Sequence, residues 1–277
     1  MRDFTTDKLQ LLLSSLKSAN YDFKTVAGYM RSPSSPAVIL RHDVDARPHN
    51  SMKCAEMEHH LGISGTFYFR AVPGSYDESI IKRISSLGHE IGYHYEDLAA
   101  SKGDYEKAIT SFSENLAMLR RLAPVESICM HGSPMSKHDN RLLWKRYSYK
   151  DYGVIGEPYL DIDFQKILYM TDTGRRWDGE RFSIRDRVTA PGSTPESRQR
   201  FHTTNDLIDA AGKGILPPVM MLTIHPQRWD NRLIPWLYEL FWQNSKNAVK
   251  GVMTAFYALP NRNSASGSDS ASSALSG

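Results

Sequence analysis

The sequence predicts an α/β fold in which parallel strands and helices form a (β/α)-type barrel. Short apolar runs alternate with helical segments, and this alternation is typical of parallel strands joined by crossover helices. The chain has 277 residues, a length that suits one α/β barrel or two small domains. Acidic residues and histidines follow five of the apolar runs, as expected where the strands of a barrel end at one rim.

The N-terminal segment, residues 1–36, is expected to be a helix and a loop that pack on the barrel. Its leucines recur at helical spacing: Leu9, Leu12, Leu13 and Leu16. They predict an amphipathic helix over about residues 7–19. Pro33 and Pro36, with three serines near them, indicate the loop.

Residues 37–260 are expected to form the barrel. Its predicted strands are the six apolar runs Ala37–Leu40, Thr66–Phe69, Glu90–His94, Ser127–Met130, Ile167–Met170 and Val219–Ile224. Helical segments lie between several of them, over Ser51–Leu61, Asp77–Leu87 and Tyr105–Leu122. The order of these elements favours a parallel sheet over separate all-α and all-β parts.

A last helix and a tail are predicted at the C-terminal end of the sequence. The helix carries apolar residues at helical spacing: Leu233, Trp236, Leu237, Leu240 and Phe241. We interpret this stripe as core packing. After Pro260 the sequence is rich in Ser, Ala and Gly. Because the few apolar side chains here cannot compensate the conformational entropy lost on folding, we expect residues 261–277 to be disordered.

The bulk composition limits the classes of function. With 40% hydrophobic and 23% charged residues, the chain is typical of a globular protein. A formal net charge of +3 with scattered Lys and Arg gives no indication of nucleic-acid binding. Only Cys54 and Cys129 are present, which fits a reducing compartment. We find no signal pattern and no membrane span of about 20 apolar residues, and we expect a cytoplasmic protein.

The residues that follow the apolar runs carry the chemistry. In chain order they are Arg41 to Asp45, His94 to Asp97, His131, Thr171-Asp172 and His225-Pro226. Asp43 and Asp45 are two residues apart, so in an extended chain both side chains point to the same side. Two carboxylates this close repel each other unless a cation or a shared proton lies between them. This favours a divalent metal over a pair of helix-capping residues.

His94 and Glu96 are the next candidates for metal binding. They are also two residues apart, so both side chains could reach one ion. Asp45, His94 and one further oxygen or nitrogen ligand suit one divalent ion, Zn²⁺ first, with an open position for water. Mn²⁺, Fe²⁺, Co²⁺ and Ni²⁺ are alternatives. His131 and His225 are candidate proton carriers, because histidine titrates near neutral pH.

These motifs resemble those of the polysaccharide deacetylase family, the NodB-homology carbohydrate esterases, over roughly residues 37–226. Three segments are similar to the second, first and last family motifs respectively: Gly88-His-Glu-Ile-Gly-Tyr-His94, Arg41-His-Asp-Val-Asp45 and Leu222-Thr-Ile-His225. The resemblance implies a barrel of about seven strands. It also implies a divalent-metal hydrolase that removes acetyl groups from N-acetylated sugars. The pattern is similar to the signal-less branch associated with surface-polysaccharide synthesis.

The resemblance also implies roles for single residues. Asp43 corresponds to the general base, Asp45 and His94 to metal ligands, and His225 to the general acid. The segment that contains Asp172 and Trp177 is more weakly similar to the motif that orients these groups.

The sequence departs from the family pattern at two points. The family's second motif has another metal-binding histidine four residues after the first, where this chain has Leu98. We take Glu96 as the replacement ligand, with His131 and Asp97 as fallbacks. The third family motif has an arginine where His131-Gly-Ser-Pro134 stands, so the partner of the general base is left open.

The function implied is hydrolysis of an acetamide on a carbohydrate substrate. Arg175, beside Trp177, could hold a sugar ring or a phosphate, or could simply lie at the surface. Two alternatives stay open. One is a metal-dependent amidohydrolase that acts on a non-sugar amide, and the other is a glycan-binding relative without catalytic activity.

Overall fold

The computed structural model describes residues 2–177 and 201–243. At its centre lies a seven-stranded sheet in which all described pairings are parallel. The strands are β1 Asp22–Lys24, β2 Ala37–Val44, β3 Thr66–Phe69, β4 Glu90–Tyr95, β5 Val125–Met130, β6 Leu168–Thr171 and β7 Val219–Ile224. All six strands predicted from apolar runs are present. The predicted α/β class with about seven parallel strands is confirmed.

The strand order puts β2 in the middle of the sheet. The hydrogen-bonded ladder runs β5-β4-β3-β2-β7-β6, and β1 pairs with the first residues of β2. Strand β1 was not predicted from the sequence, because its three residues, Asp-Phe-Lys, contain no apolar run. Since the strands are parallel, the carboxyl ends of β2, β4, β5 and β7 meet at the same edge.

Two hydrophobic clusters indicate a strongly curved sheet. The inner cluster takes one residue from each of five strands: Ile39, Tyr68, Cys129, Tyr169 and Met221. Strands β5 and β6 lie at opposite ends of the described ladder, yet both contribute to this cluster. The sheet therefore wraps around a common interior, as in a barrel. The larger cluster packs helices against the sheet.

The helices alternate with the strands as predicted. They are α1 Thr6–Ser18, α2 Val26–Arg31, α3 Pro48–His60, α4 Glu78–Ser86, α5 Asp97–Ala100, α6 Tyr105–Arg120, α7 Pro158–Asp161 and α8 Thr204–Gly212. Side chains cap several N-termini. Thr5 accepts from Lys8 N, for example, which satisfies a backbone donor that has no partner within the helix. The four helices predicted up to residue 122 are confirmed, with small shifts at their ends.

The N-terminal segment holds more structure than the expected helix and loop. Helix α1 packs against α3 and α8, β1 joins the sheet, and α2 precedes the predicted loop. The boundary at residue 37 stays a prediction, and the expected disordered tail, residues 261–277, lies outside the described residues. Among the described helices, none combines the length and hydrophobicity that crossing a bilayer requires.

The predicted last helix is present over residues 233–243, here named α9, but its expected packing is wrong. Leu233 is 54% exposed and Leu237 is 47% exposed, whereas Glu239 and Gln243 are buried. Helical spacing shows which residues share a face of a helix. It does not show which face lies against the protein, and here the face that carries Trp236, Glu239 and Gln243 does.

Candidate metal centre and active site

Asp43 is held by an arginine from its own strand. Arg41 Nε donates to Asp43 Oδ1 at 2.7 Å and Arg41 Nη2 donates to Oδ2 at 2.6 Å. The two residues are two apart on β2, so their side chains share a face of the sheet. Burial raises the pKa of Asp43, but the charge and hydrogen bonds of Arg41 together with the charges of His94 and His225 outweigh it, and the net pKa is lowered. Asp43 is therefore an oriented carboxylate at neutral pH, and Arg41 is the partner that the sequence left open.

Arg41 itself is fully buried, with its guanidinium 4.9 Å from the ring centre of Tyr159. Replacing Arg41 by Met leaves Asp43 charged and uncompensated inside the protein. We expect the free energy of unfolding, measured by urea denaturation, to fall by about 3–5 kcal/mol. The matched control is Arg141→Met, because Arg141 pairs with Asp139 where both side chains are partly exposed. We expect that change to cost about 1 kcal/mol or less. Equal losses for the two variants would contradict the buried-pair interpretation.

Asp45 lies where two imidazoles converge. Its Oδ1 is 3.5 Å from His94 Nε2 and 3.7 Å from His131 Nε2. The three residues come from the carboxyl ends of β2, β4 and β5, which parallel pairing brings to one edge. Asp45 Oδ1 is buried and makes no hydrogen bond in the described part of the chain. A buried, unsatisfied carboxylate oxygen facing two imidazole nitrogens fits a divalent cation between them.

The two imidazoles are fixed in the orientation that metal binding needs. His94 Nδ1 lies 2.9 Å from the carbonyl oxygen of Cys129, and His131 Nδ1 lies 2.8 Å from Glu96 Oε2. A carbonyl or carboxylate oxygen only accepts, so each Nδ1 carries a proton, and in the neutral ring each Nε2 then has its lone pair free for an ion. Metal-binding histidines are usually anchored in this way through their other nitrogen.

Glu96 occupies a different place from the one predicted. Its Oε1 accepts from Arg70 Nε at 2.9 Å and Nη2 at 2.6 Å, while Oε2 lies against His131 Nδ1. The carboxylate is thus on the Nδ1 side of the His131 ring, and Asp45 is on the Nε2 side. Burial raises the pKa of Glu96, but His131 and Arg70 lower it to about 2. This placement suits a residue that orients His131, and it favours the fallback ligand His131 over Glu96.

The other fallback, Asp97, is turned away from these groups. Its carboxylate accepts from Tyr93 Oη at 2.8 Å, Ser111 Oγ at 2.7 Å and Asn115 Nδ2 at 2.9 Å. It begins helix α5 immediately after Glu96, so the chain has already turned from strand to helix at this point. Asp97 therefore ties β4 to α6, which explains its burial without a metal.

His225 and Asp172 form a hydrogen-bonded pair across β7 and the end of β6. His225 Nδ1 is 2.6 Å from Asp172 Oδ1, and Asp172 Oδ2 accepts from the His225 backbone N–H at 2.9 Å. Arg228 pairs with Asp172, and Trp229 Nε1 donates to it at 2.7 Å. Burial raises the pKa of Asp172, but the charges of Arg228 and His225 lower it to about 2. His225 Nε2 is left facing Asp45 Oδ2 at 3.9 Å.

Sequence reasoning missed Arg228 and Trp229, although both follow His225 within four residues. A short turn from Pro226 to Arg228 brings them back to Asp172. The sequence signal that could have identified them is an arginine and a tryptophan placed within four residues of a predicted catalytic histidine.

Cys129 gives a second, overlapping group of metal-binding atoms. Ligand atoms of Asp43, His94 and Cys129 lie within 4.8 Å of one another, and all three residues are buried. Arg41 already engages both oxygens of Asp43, whereas Asp45 Oδ1 has no such donor. We therefore favour Asp45, His94 and His131 as the ligand set.

Arg175 and Trp177 lie in packed surroundings. Trp177 is 4% exposed and its Nε1 donates to Thr204 Oγ1 at 3.0 Å. The Arg175 guanidinium lies 4.9 Å from the ring centre of Phe4 and 4.8 Å from that of Trp236. Burial lowers the pKa of Arg175 to about 10. A sugar-binding role for these two residues stays a prediction.

No family model matches the sequence, and no curated protein sequence matches it significantly. Similar solved structures include CE4 family esterases, a peptidoglycan N-acetylglucosamine deacetylase and a CE4 family pseudoenzyme. They belong to the carbohydrate esterase family that the motifs of this chain resemble.

Three of these solved structures illustrate the degree of similarity. A CE4 family pseudoenzyme from Bacillus anthracis, BA3943, has 12% identity and a TM-score of 0.42, covering 79% of this chain and 63% of that one. A family 4 acetyl xylan esterase from Clostridium thermocellum, in complex with a cobalt ion, has 15% identity and a TM-score of 0.37, covering 79% and 90%. A Streptococcus mutans CE4 esterase has 12% identity and a TM-score of 0.42, covering 87% of each chain. This chain spans less than two thirds of the pseudoenzyme's length. At these identities and TM-scores the likeness assigns no activity to this chain.

Proposed function

We propose that the protein is a metal-dependent hydrolase that removes an acetyl group from an N-acetylated sugar, as in a polysaccharide precursor. The observation that carries the proposal is the arrangement around Asp45. Two anchored imidazoles, His94 and His131, face its buried oxygen, while Asp43 lies beside His94 and His225 lies beside Asp45. This arrangement offers a cation site, a base and an acid within one cluster.

Asp45, His94 and His131 would hold the ion, and its contribution when bound is to polarise the acetyl carbonyl and acidify a water. Asp43 Oδ2 lies 3.7 Å from His94 Nε2, at the border of this ligand set. A carboxylate at that position can accept the proton of an attacking water. Arg41 keeps both Asp43 oxygens in one orientation and keeps the group ionised.

His225 supplies the proton that the leaving amine needs. Its Nδ1 is fixed on Asp172, so Nε2 is the nitrogen that faces the cluster. A protonated Nε2 can donate to the departing nitrogen, and the buried Asp172 carboxylate stabilises the imidazolium. The base and the acid thus approach the same reacting group from β2 and β7, which are adjacent strands.

The test combines elemental analysis with an acetate-release assay on purified full-length protein. We expect about one divalent ion per chain, together with acetate release from N-acetylglucosamine oligomers that chelation abolishes and metal addition restores. A small cyclic amide serves as the competing substrate, because it separates sugar deacetylation from a general amidohydrolase. A chain that remains metal-free after metal addition, or that hydrolyses only the cyclic amide, would contradict the proposal.

A further inference from the structure

Gln227 lies beside the proposed metal ligand Asp45. It belongs to the short turn from Pro226 to Arg228 that follows His225. Gln227 is buried, and its Nε2 donates to Asp45 Oδ2 at 3.3 Å. Because a carboxylate oxygen only accepts, the amide nitrogen and not the amide oxygen must be the atom that faces Asp45. Gln227 therefore holds one of the two carboxylate oxygens of Asp45.

The two carboxylate oxygens of Asp45 have different surroundings. Oδ1 faces the imidazoles of His94 and His131, at 3.5 and 3.7 Å from their Nε2 atoms. Oδ2 lies 3.3 Å from Gln227 Nε2 and 3.9 Å from His225 Nε2, on the side of β7. A cation placed between the two imidazoles would thus meet Oδ1, whereas the Gln227 amide already donates to Oδ2.

The turn that carries Gln227 is tied to helix α3. The side-chain amide of Asn50, buried on α3, donates to the backbone oxygens of Pro226 at 3.3 Å and Trp229 at 3.2 Å. Helix α3 is also the element that follows Asp45 along the chain. The backbone that carries Gln227 and the backbone that carries Asp45 are therefore held to the same helix, which fixes the distance that the amide has to span.

We propose that Gln227 restricts Asp45 to coordination through one oxygen and so favours Zn²⁺ over Mn²⁺ at the metal centre. Zn²⁺ is satisfied by four ligands, whereas Mn²⁺ prefers six, mostly oxygens. Holding Oδ2 on the amide denies a bound ion the second oxygen, and this favours the cation that needs fewer ligands. Gln227 is a positioning residue, because it acts through Asp45.

The inference rests on the proposed function, because it takes Asp45, His94 and His131 as the ligands. Zn²⁺ binds more tightly than Mn²⁺ to almost any site of nitrogen and oxygen atoms, so the absolute preference carries no information about Gln227. The informative quantity is the change in the ratio of the two affinities when the amide is removed. A general loss of affinity, as from a loosened fold, cancels in this ratio.

The test measures the affinities of the full-length protein for Zn²⁺ and for Mn²⁺ by competition with a chelator of known affinity. Gln227→Met keeps the length of the side chain but has no donor, so Asp45 Oδ2 becomes free to reach the ion. We expect the ratio of Zn²⁺ affinity to Mn²⁺ affinity to fall by about tenfold. Gln227→Asn, one methylene shorter, should also lose the contact and shift the ratio in the same direction.

Gln243→Met is the matched control. Gln243 is also buried, and its Nε2 also donates to a carboxylate, that of Glu239, at 2.7 Å. This variant should leave the ratio unchanged. Circular dichroism and urea denaturation check that all variants are folded, and Gln227→Asn carries the test if Gln227→Met does not fold.

An unchanged ratio in the Gln227 variants overturns the inference, and so does an equal change in Gln243→Met. Failure of the proposed function gives a different result: the chain binds metal and the Gln227 variants shift the ratio, but no acetate is released. Acetate release together with an unchanged ratio contradicts this inference alone. A chain that binds neither ion contradicts both.

Discussion

Replacing Asp43 by Asn is expected to lower turnover by about a thousandfold while leaving bound metal nearly unchanged. The amide keeps the size of the side chain but cannot accept the proton of water. Arg41 keeps one acceptor oxygen to bind but loses the charge that compensates its buried guanidinium, so circular dichroism and urea denaturation check first that the variant is folded. Turnover is measured as acetate release, and bound metal by elemental analysis of the same sample.

Asp45→Asn is the matched control, because it is the same substitution two residues further along the chain. We expect this variant to lose metal and activity together, since Asp45 Oδ1 faces both imidazoles. If Asp43→Asn strips the metal and Asp45→Asn does not, the roles are reversed. The ion would then belong to the group of Asp43, His94 and Cys129.

Replacing His131 by Ala is expected to release the metal, whereas Glu96→Gln should weaken metal affinity by about tenfold to a hundredfold. The alanine variant removes a ligand atom. The glutamine variant keeps a hydrogen-bond acceptor for His131 Nδ1 but removes the negative charge that orients and polarises the ring. Affinity is measured by titration of the metal-free protein with Zn²⁺ and Co²⁺.

Asp97→Asn serves as the control for this pair, because Asp97 lies between Tyr93, Ser111 and Asn115 and should leave metal affinity unchanged. The contrary result is retention of metal in His131→Ala together with its release in Glu96→Gln. That outcome would make Glu96 the third ligand, as the sequence alone suggested.

The positions where the strands end could be predicted from the sequence, because each strand is an apolar run that stops at polar residues. Apolar runs marked six of the seven strands, and the polar residues after them gave Asp43, Asp45, His94, Asp172 and His225. The structure brings these five residues together in one cluster. Parallel pairing is sufficient to do this, so no detailed knowledge of side-chain packing was needed.

The roles of Arg41 and Glu96 and the packing of α9 could not be predicted, because they depend on the direction of single side chains. Residue spacing does not determine that direction. Arg41 was predicted only as the first residue of the Arg41–Asp45 motif after the strand, and its bidentate geometry shows that it holds Asp43. Glu96 was expected to point like His94, as alternate residues of a strand do. The strand ends at Tyr95, however, and Glu96 turns toward Arg70 before α5 begins. In α9 the helical spacing of the apolar residues was recognised from the sequence, but the side of the helix that faces the protein was not.

Strand β5 links the proposed metal centre to the local stability of the sheet. It is the last strand of the described ladder, and its Cys129 carbonyl and the adjoining His131 both serve the centre. The His131 backbone N–H also donates to Tyr95 O at 2.8 Å. Local opening of this strand would disturb two of the three ligands in one event. If the proposed ion binds here, its binding and closure of β5 are thermodynamically coupled, and it should slow amide hydrogen exchange along β5 more than along β2.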